Sequence, residues 1–291
     1  MIGSVSSPPR SRRRAMAVKR GRKVLRVVAW LWLAAIAVSC LYPLVFVVLT
    51  SLKTQTQFSI NPLGIPSNPT LAEFRTVFSD GFLRNVVNSV IIAGVSVAVV
   101  VVISSLAGFV LVFLRFRGRK LVLFGIVGLM IQPIALLMIP EFLIVSRAHL
   151  LSSYIGIVLV YAALGAPFAT FLMYTYMLSI PRELFEAARL DGASLIKVLF
   201  LVIWRLLTPA LVALVALDFI SFWNEFLFAL LILQSNTVKT VMVGLADLQG
   251  LQVVNIPLVA AGMALSIALP LIVFIILHRR LFSGLTVGAL K

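Results

Sequence analysis

Two carboxylates, Asp218 and Glu225, interrupt the apolar run from Pro209 to Leu233. Inside a bilayer a charge costs at least about 2.5 kcal/mol on insertion scales, so it is kept for a proton or ion relay, a wet path or a polar seam. At roughly 100° per residue Asp218, Ser221, Phe222 and Glu225 share one helical face, and Asn224 lies about 120° away. Asp218 stands about ten residues, or roughly 15 Å, into the run, near the middle of a bilayer, with Glu225 towards its far end. A second charged cluster, Glu183-Leu-Phe-Glu186-Ala187-Ala188-Arg-Leu-Asp191-Gly192, lies between two long apolar segments. A helix so charged cannot sit in lipid and must face water or another protein.

Other chemistries find little support. The two histidines, His149 and His278, fall on opposite sides of the membrane, and no metal-ligand cluster or nucleophile–base pair stands out. No metal site is expected. There is no Gly-x-x-x-x-Gly-Lys-Ser/Thr phosphate loop, and no Gly-Lys pair at all, so the chain should not bind or hydrolyse ATP itself. The sole cysteine, Cys40, excludes an intrachain disulfide. A carrier acting alone, with Asp218 and Glu225 as its ion relay, stays as an alternative from the residues alone.

The elements that must position these groups are membrane helices. The chain is 62% hydrophobic and 12% charged, with a mean hydropathy of +1.13. A soluble domain of this size would need more polar surface. The net charge of +16 is therefore read as a membrane signature rather than a nucleic-acid footprint. Six segments are long enough to cross a bilayer: Val27–Leu49, Val90–Phe113, Leu121–Ile139, Tyr154–Leu178, Pro209–Leu233 and Leu258–Leu277. The expected class is an all-α polytopic membrane protein with a short cytoplasmic helix between spans four and five. It divides into a basic head (1–26), a first span (27–50), an outer loop (51–89), a transmembrane core (90–277) and a tail (278–291).

The basic residues set the orientation. Twenty of them fall in the head, in 115–120, in 182–205 and after 278; only Lys53, Arg75, Arg84, Arg147 and Lys239 fall on the other side. The positive-inside rule then puts both termini and the 183–192 helix in the cytoplasm. The head followed by an apolar run, with Ala37-Val-Ser-Cys40 inside it, resembles a cleaved leader. The length of the run and the five spans that follow argue for an uncleaved first helix. The head itself is expected to be a flexible basic segment on anionic lipid.

Local signals refine the elements. Pro181 suits a first helical position, Glu183 and Glu186 suit the positive end of the helix dipole, Glu186 can pair with Arg189, and Gly192 is a helix stop. Ser194 is expected to cap a second short helix, and Thr208-Pro209 to start span five. Thr70-Leu-Ala-Glu73 reads as a capping box. Ser104-x-x-x-Gly108 and Gly262-x-x-x-Ser266 are small-residue pairs suited to close helix contact. Pro270, Gln132-Pro133 and Pro140 are candidate kinks.

The segment Ile180-Pro-Arg-Glu183-Leu-Phe-Glu186-Ala-Ala-Arg-Leu-Asp191-Gly192-Ala-Ser resembles the EAA loop of ABC-importer permeases. Phe113-Leu-Arg-Phe-Arg-Gly-Arg119, Phe222-Trp-Asn-Glu225-Phe-Leu and the tail Arg279–Lys291 resemble segments of the maltose-type carbohydrate branch, second permease subunit. The resemblance spans roughly Leu41 to Lys291. It implies that Glu183, Glu186, Ala187, Ala188, Asp191 and Gly192 dock in a groove on a cytoplasmic ATPase. ATP and magnesium would be bound by that ATPase, and its closure would rock the spans between inward- and outward-facing states. The implied partners are a similar but distinct permease, two ATPase subunits and an extracytoplasmic solute-binding protein. The implied solute is a sugar or sugar-like molecule, with Asp218, Ser221, Phe222, Trp223, Asn224 and Glu225 along its path, where Phe222 or Trp223 could stack on a sugar ring. The tail residues Gly284, Leu285, Thr286 and Gly288 are implied to reach the ATPase interface. One departure concerns Trp204-Arg205, where many members have Leu-Pro; it bears on the path from the second short helix into span five.

Overall fold

The computed structural model describes the backbone of residues 10–250 and 254–288 and, within these, the side chains of 23, 25–250 and 254–276. It contains no strand among the described residues. The first helix, α1 (Arg10–Ser51), is followed by two short helices, α2 (Gln55–Ile60) and α3 (Ala72–Ser79), and by the long α4 (Phe82–Phe113). Next come α5 (Arg119–Ile131), α6 (Ile134–Arg147) and α7 (Tyr154–Met177). The short α8 (Arg182–Leu190) precedes α9 (Leu195–Lys197), which passes through a π-helical stretch, Val198–Ile203, into α10 (Trp204–Leu206). The chain ends with α11 (Thr208–Trp223), α12 (Leu227–Ile232), α13 (Val241–Leu248) and α14 (Ile256–Gly288).

Among the described residues four stretches are long and apolar enough to cross a membrane: Leu25–Ser51, Phe82–Phe113, Tyr154–Met177 and Ile256–Ile276. They correspond to expected spans one, two, four and six. Two further candidates are bent pairs: the first bends at Gln132-Pro133, where a kink is expected, and the second departs from expectation. The third span is not one straight helix, because Arg119–Met130 and Ile134–Arg147 meet at 101°. Gln132 is extended ahead of Pro133, the conformation that proline's ring favours in the residue before it. The fifth span stops at Trp223 rather than Leu233, and Leu195–Leu206 meets Thr208–Trp223 at 83°. The second short element therefore lies across the end of α11.

α4 packs along α7, and α11 fills the space against α4, α7 and α14. Small residues permit the closest approach. A Cβ on Gly108 would stand 3.1 Å from Met173 Cβ and from the backbone N of Tyr174. A Cβ on Gly262 would stand 2.7 Å from Leu248 Cδ1. The two small-residue pairs thus mark the α4–α7 and α13–α14 contacts. By contrast α1 is exposed along most of its apolar length and touches the rest chiefly through α14, as a lipid-facing helix should.

The basic head does not stay irregular: from Arg10 it is helical and continuous with the first span. Its stretch from Arg10 to Arg26 is rich in Arg and Lys, both good helix formers; residues 1–9 lie outside the described residues. α14 likewise runs unbroken through Pro270 to Gly288, so the expected tail begins as helix. The predicted capping box at Thr70 does not close. Thr70 Oγ1 accepts from Ala72 N at 3.2 Å, but Glu73 Oε2 accepts from Asn255 Nδ2 instead of reaching back to the cap. Glu73 and Gln55, whose Oε1 accepts from Ile256 N at 3.1 Å, tie the α2–α3 segment to the start of α14. The same segment is stapled from below by Lys53, which is buried and donates to Asn61 O and Pro62 O, each at 2.9 Å.

Candidate functional site

Helix α8 is set by its ends. Pro181 is extended and lies just outside the helix, not at its first position as expected; Arg182 opens it and Glu183 is in its first turn. At the other end Gly192 takes φ +82°, its N–H bonds to Arg189 O at 3.1 Å, and Ala193 N–H bonds to Ala188 O at 3.1 Å. These two bonds form a Schellman stop, which closes carbonyls that a helix end otherwise leaves open. Ser194 then starts α9, its side chain accepting from Lys197 N. The result is a two-element turn with fixed geometry.

One face of α8 is tethered and the other is free. Phe185 is the buried side chain, packed on Phe113 (ring centroids 5.1 Å, interplanar 24°) and edge-on to Phe109 (5.9 Å, 62°). Arg182 Nη2 donates to Phe113 O at 3.3 Å, at the C-terminal end of α4. Glu186 pairs with Arg182, at 3.3 Å, rather than with Arg189, whose guanidinium instead donates to Ala193 O at 2.6 Å. The i,i+4 spacing brings Arg182 over Glu186, whereas the helix stop draws Arg189 away. Glu183, Glu186, Ala187, Asp191 and Gly192 are exposed, and Ala188 is half-buried. Leu190 is 89% exposed on the same short helix.

The entry to α11 differs from expectation. Leu207 already has helical dihedrals, so Thr208 is not an N-cap; its hydroxyl donates back to Arg205 O at 2.8 Å. Trp204 stacks on Phe200 with centroids 4.7 Å apart. An aromatic contact thus braces the corner that Trp204-Arg205 forms before α11.

The residues 218–225 do not form one stripe, because α11 ends at Trp223. Glu225 is drawn into the break that follows. Its Oε1 accepts from Phe228 N at 2.9 Å, and its Oε2 accepts from Ala229 N at 3.0 Å and from the Tyr161 hydroxyl at 2.8 Å. The carboxylate therefore caps the first turn of α12 and anchors it to α7. Tyr161 in turn stacks on Phe222 at 5.1 Å and 11°. Gly165 makes room for that ring, since a Cβ there would lie 2.8 Å from Phe222 Cζ. Phe222 and Trp223 are 7% and 1% exposed, so neither offers a free ring face to a sugar in this conformation. Ser221 and Asn224 are exposed. Asn224 borders a cleft of ≈ 360 Å³ between α11, α13 and α14, together with Met242, Met263, Ser266 and Pro270. Asp218 is buried, with Oδ2 lacking a hydrogen-bond partner among the described residues.

The sequence pattern does not single out a third carboxylate, Glu141. Glu141 follows Pro140, beyond the expected end of span three, yet α6 carries it to within electrostatic reach of Glu225, half-buried. No group of three or more His, Cys, Asp or Glu able to hold a metal occurs among the described residues. The side chains of Gly284, Leu285, Thr286 and Gly288 lie outside the described ones.

Comparison with known proteins places this arrangement. Residues 60–286 match the family described as binding-protein-dependent transport system inner membrane component. The chain is 34% identical over 271 residues to the sulfoquinovosyl glycerol transport system permease protein of Agrobacterium fabrum, covering 92% of this chain and 94% of that one. It is 34% identical to the trehalose/maltose transport system permease protein of Thermococcus litoralis, over 88% and 93% of the two chains. The crystal structure of a bacterial ABC transporter importing the acidic polysaccharide alginate has a chain of the same fold, with TM-score 0.78 and 24% identity over 89% of this chain and 97% of that one. This chain belongs to the family of binding-protein-dependent transport system inner membrane components: it is a multi-pass permease subunit of an ABC importer, a translocation component rather than an enzyme.

Proposed function

We propose that this chain is one of two distinct permeases in an importer for a sugar or sugar-like solute, with six membrane crossings and both termini in the cytoplasm. The 20-to-5 partition of basic residues supports that orientation, and the two bent helix pairs supply the third and fifth crossings. The relatives named for sulfoquinovosyl glycerol and trehalose/maltose transport support a carbohydrate solute. The proposed domain division follows: head 1–26, first span 27–50, outer loop 51–89, core 90–277, tail 278–291.

The observation that carries the reading is α8, a short helix with a closed stop, one buried aromatic root and an outward face of Glu183, Glu186, Ala187, Leu190 and Asp191. That face docks on an ATPase subunit, which binds ATP and magnesium; two such subunits and an extracytoplasmic solute-binding protein complete the assembly. Gly284, Leu285, Thr286 and Gly288 extend α14 towards the same ATPase. Along the membrane, Ser221 and Asn224 face the solute path and Asp218 faces its wall or the seam with the second permease. Glu225, Phe222 and Trp223 hold the path's shape.

The test is uptake of labelled solute in cells. Deleting 183–192 abolishes uptake, and changing Gly192→Asp lowers it, while the chain still reaches the membrane at normal abundance. Normal uptake at normal abundance contradicts the reading. Solute uptake by the purified chain alone in liposomes, without ATP or partners, favours instead a carrier using its buried carboxylates.

A further inference from the structure

We propose that Phe185 and Arg182 form the joint through which movement of α8 enters the membrane core, and that they deliver it to the C-terminal end of α4. This inference rests on the reading of α8 as the ATPase-docking helix. Phe185 is the buried side chain of α8, and its ring meets both Phe113 and Phe109. Those two are i,i+4 neighbours with centroids 5.3 Å apart and exposures of 2% and 3%, so the receiving surface is itself rigid. Arg182 adds a polar latch. Its guanidinium donates to the carbonyl of Phe113, the last residue of α4, where helix carbonyls lack partners and the dipole favours a cation.

Arg182 also links this latch to the outward face, because its Nε holds Glu186 at 3.3 Å. A push on the docking face is thus met by a stacked ring and a charged hydrogen bond, both aimed at one helix end. α4 then packs against α7, α11 and α13, so a displacement at its end is shared by the core. α8 also touches the π-helical stretch Val198–Ile203, which leads to the bend before α11. That second contact follows the chain; the joint to α4 crosses it, 72 residues away from Phe185 at Phe113. The aromatic root and the arginine are positioning residues; neither belongs to the face that docks.

The experiment uses the whole importer, co-purified through a tag on this chain and reconstituted in proteoliposomes, and reads ATP hydrolysed per solute transported. Phe185→Ala is expected to leave ATPase capture within about threefold of wild type and raise that ratio tenfold or more. Phe113→Ala gives the same defect, and the double variant is no worse than either single change, because both break one joint. Arg182→Gln, on a half-exposed residue that carries no core packing, raises the ratio about threefold, and Arg182→Lys partly restores it. A wild-type ratio in Phe185→Ala overturns the proposal. If Phe185→Ala fails to assemble, Arg182→Gln decides, and a wild-type ratio there overturns it equally. Failure of the underlying reading looks different: the unmodified complex itself shows no ATP-driven uptake.

Discussion

Glu225 separates a group that serves the solute from a group that holds the fold. Its carboxylate receives three hydrogen bonds, from Tyr161 Oη at 2.8 Å, Phe228 N at 2.9 Å and Ala229 N at 3.0 Å. The two backbone donors belong to the first turn of α12 and have no partner within that helix. Each bond to a charged acceptor contributes about 1.5–3 kcal/mol, and each buried donor left open costs about 1–3 kcal/mol. Because all three bonds meet one carboxylate they are not additive, and Glu225→Ala is expected to destabilise by about 3–6 kcal/mol. Glu225→Gln keeps one acceptor oxygen and should cost about 1–3 kcal/mol, and Tyr161→Phe about 1 kcal/mol. Thermal unfolding in lipid nanodiscs, read beside membrane abundance, measures the series; the Tyr161–Glu225 double-mutant cycle should show clear coupling. The reasoning is refuted if Glu225→Ala unfolds like wild type while uptake is lost, because Glu225 would then act on the solute.

Three other perturbations follow from local geometry. A Cβ at Gly192 meets nothing within 4 Å, so the cost of substitution is the left-handed backbone alone, about 1–2 kcal/mol or roughly 5- to 30-fold in population. ATPase capture should weaken in the order Gly192→Asn, Gly192→Ala, Gly192→Val, and equal affinities across that series would contradict the Schellman argument. Lys53→Met removes two charged bonds to Asn61 O and Pro62 O, so the 61–69 loop should be cut about tenfold faster by protease added to nanodiscs; unchanged cleavage would show that the staple is idle. Gly165→Ala should destabilise by about 1–3 kcal/mol through overpacking on Phe222, and Phe222→Leu should recover part of that in the double variant.

Much of the architecture is written in local pattern. Apolar length locates α1, α4, α7 and α14, and the glycine after Asp191 locates the end of α8, because both depend on short-range rules. The break after Trp223 is different. Phe226 to Leu233 is as apolar as what precedes it, and the helix stops where Glu225 turns to cap α12 with help from Tyr161, 64 residues earlier. No window of sequence contains that partnership. Phe185 was equally opaque as a root: it becomes one only when α8 folds back onto the Phe109–Phe113 pair. The i,i+4 aromatic pair at the end of a span was the available signal. Glu141 lies beyond the apolar run that ends at Ile139, after Pro140, a candidate kink that stands inside α6. The Glu186–Arg189 pairing was a reasonable spacing that lost to Arg182, since the Schellman stop turns Arg189 towards Ala193.

The central claim is that energy enters this permease at α8. Leu190, 89% exposed on that helix, offers the most direct probe. With Cys40→Ser removing the single native thiol, Leu190→Cys can be labelled with a short thiol-directed photocrosslinker, which needs no thiol on the partner, in the assembled importer, with and without ATP. The account predicts an adduct with the ATPase subunit whose yield changes with ATP, and no labelling of the introduced thiol by an impermeant reagent added outside intact cells. Labelling from outside, or the absence of any ATPase adduct in a complex that transports, would contradict it.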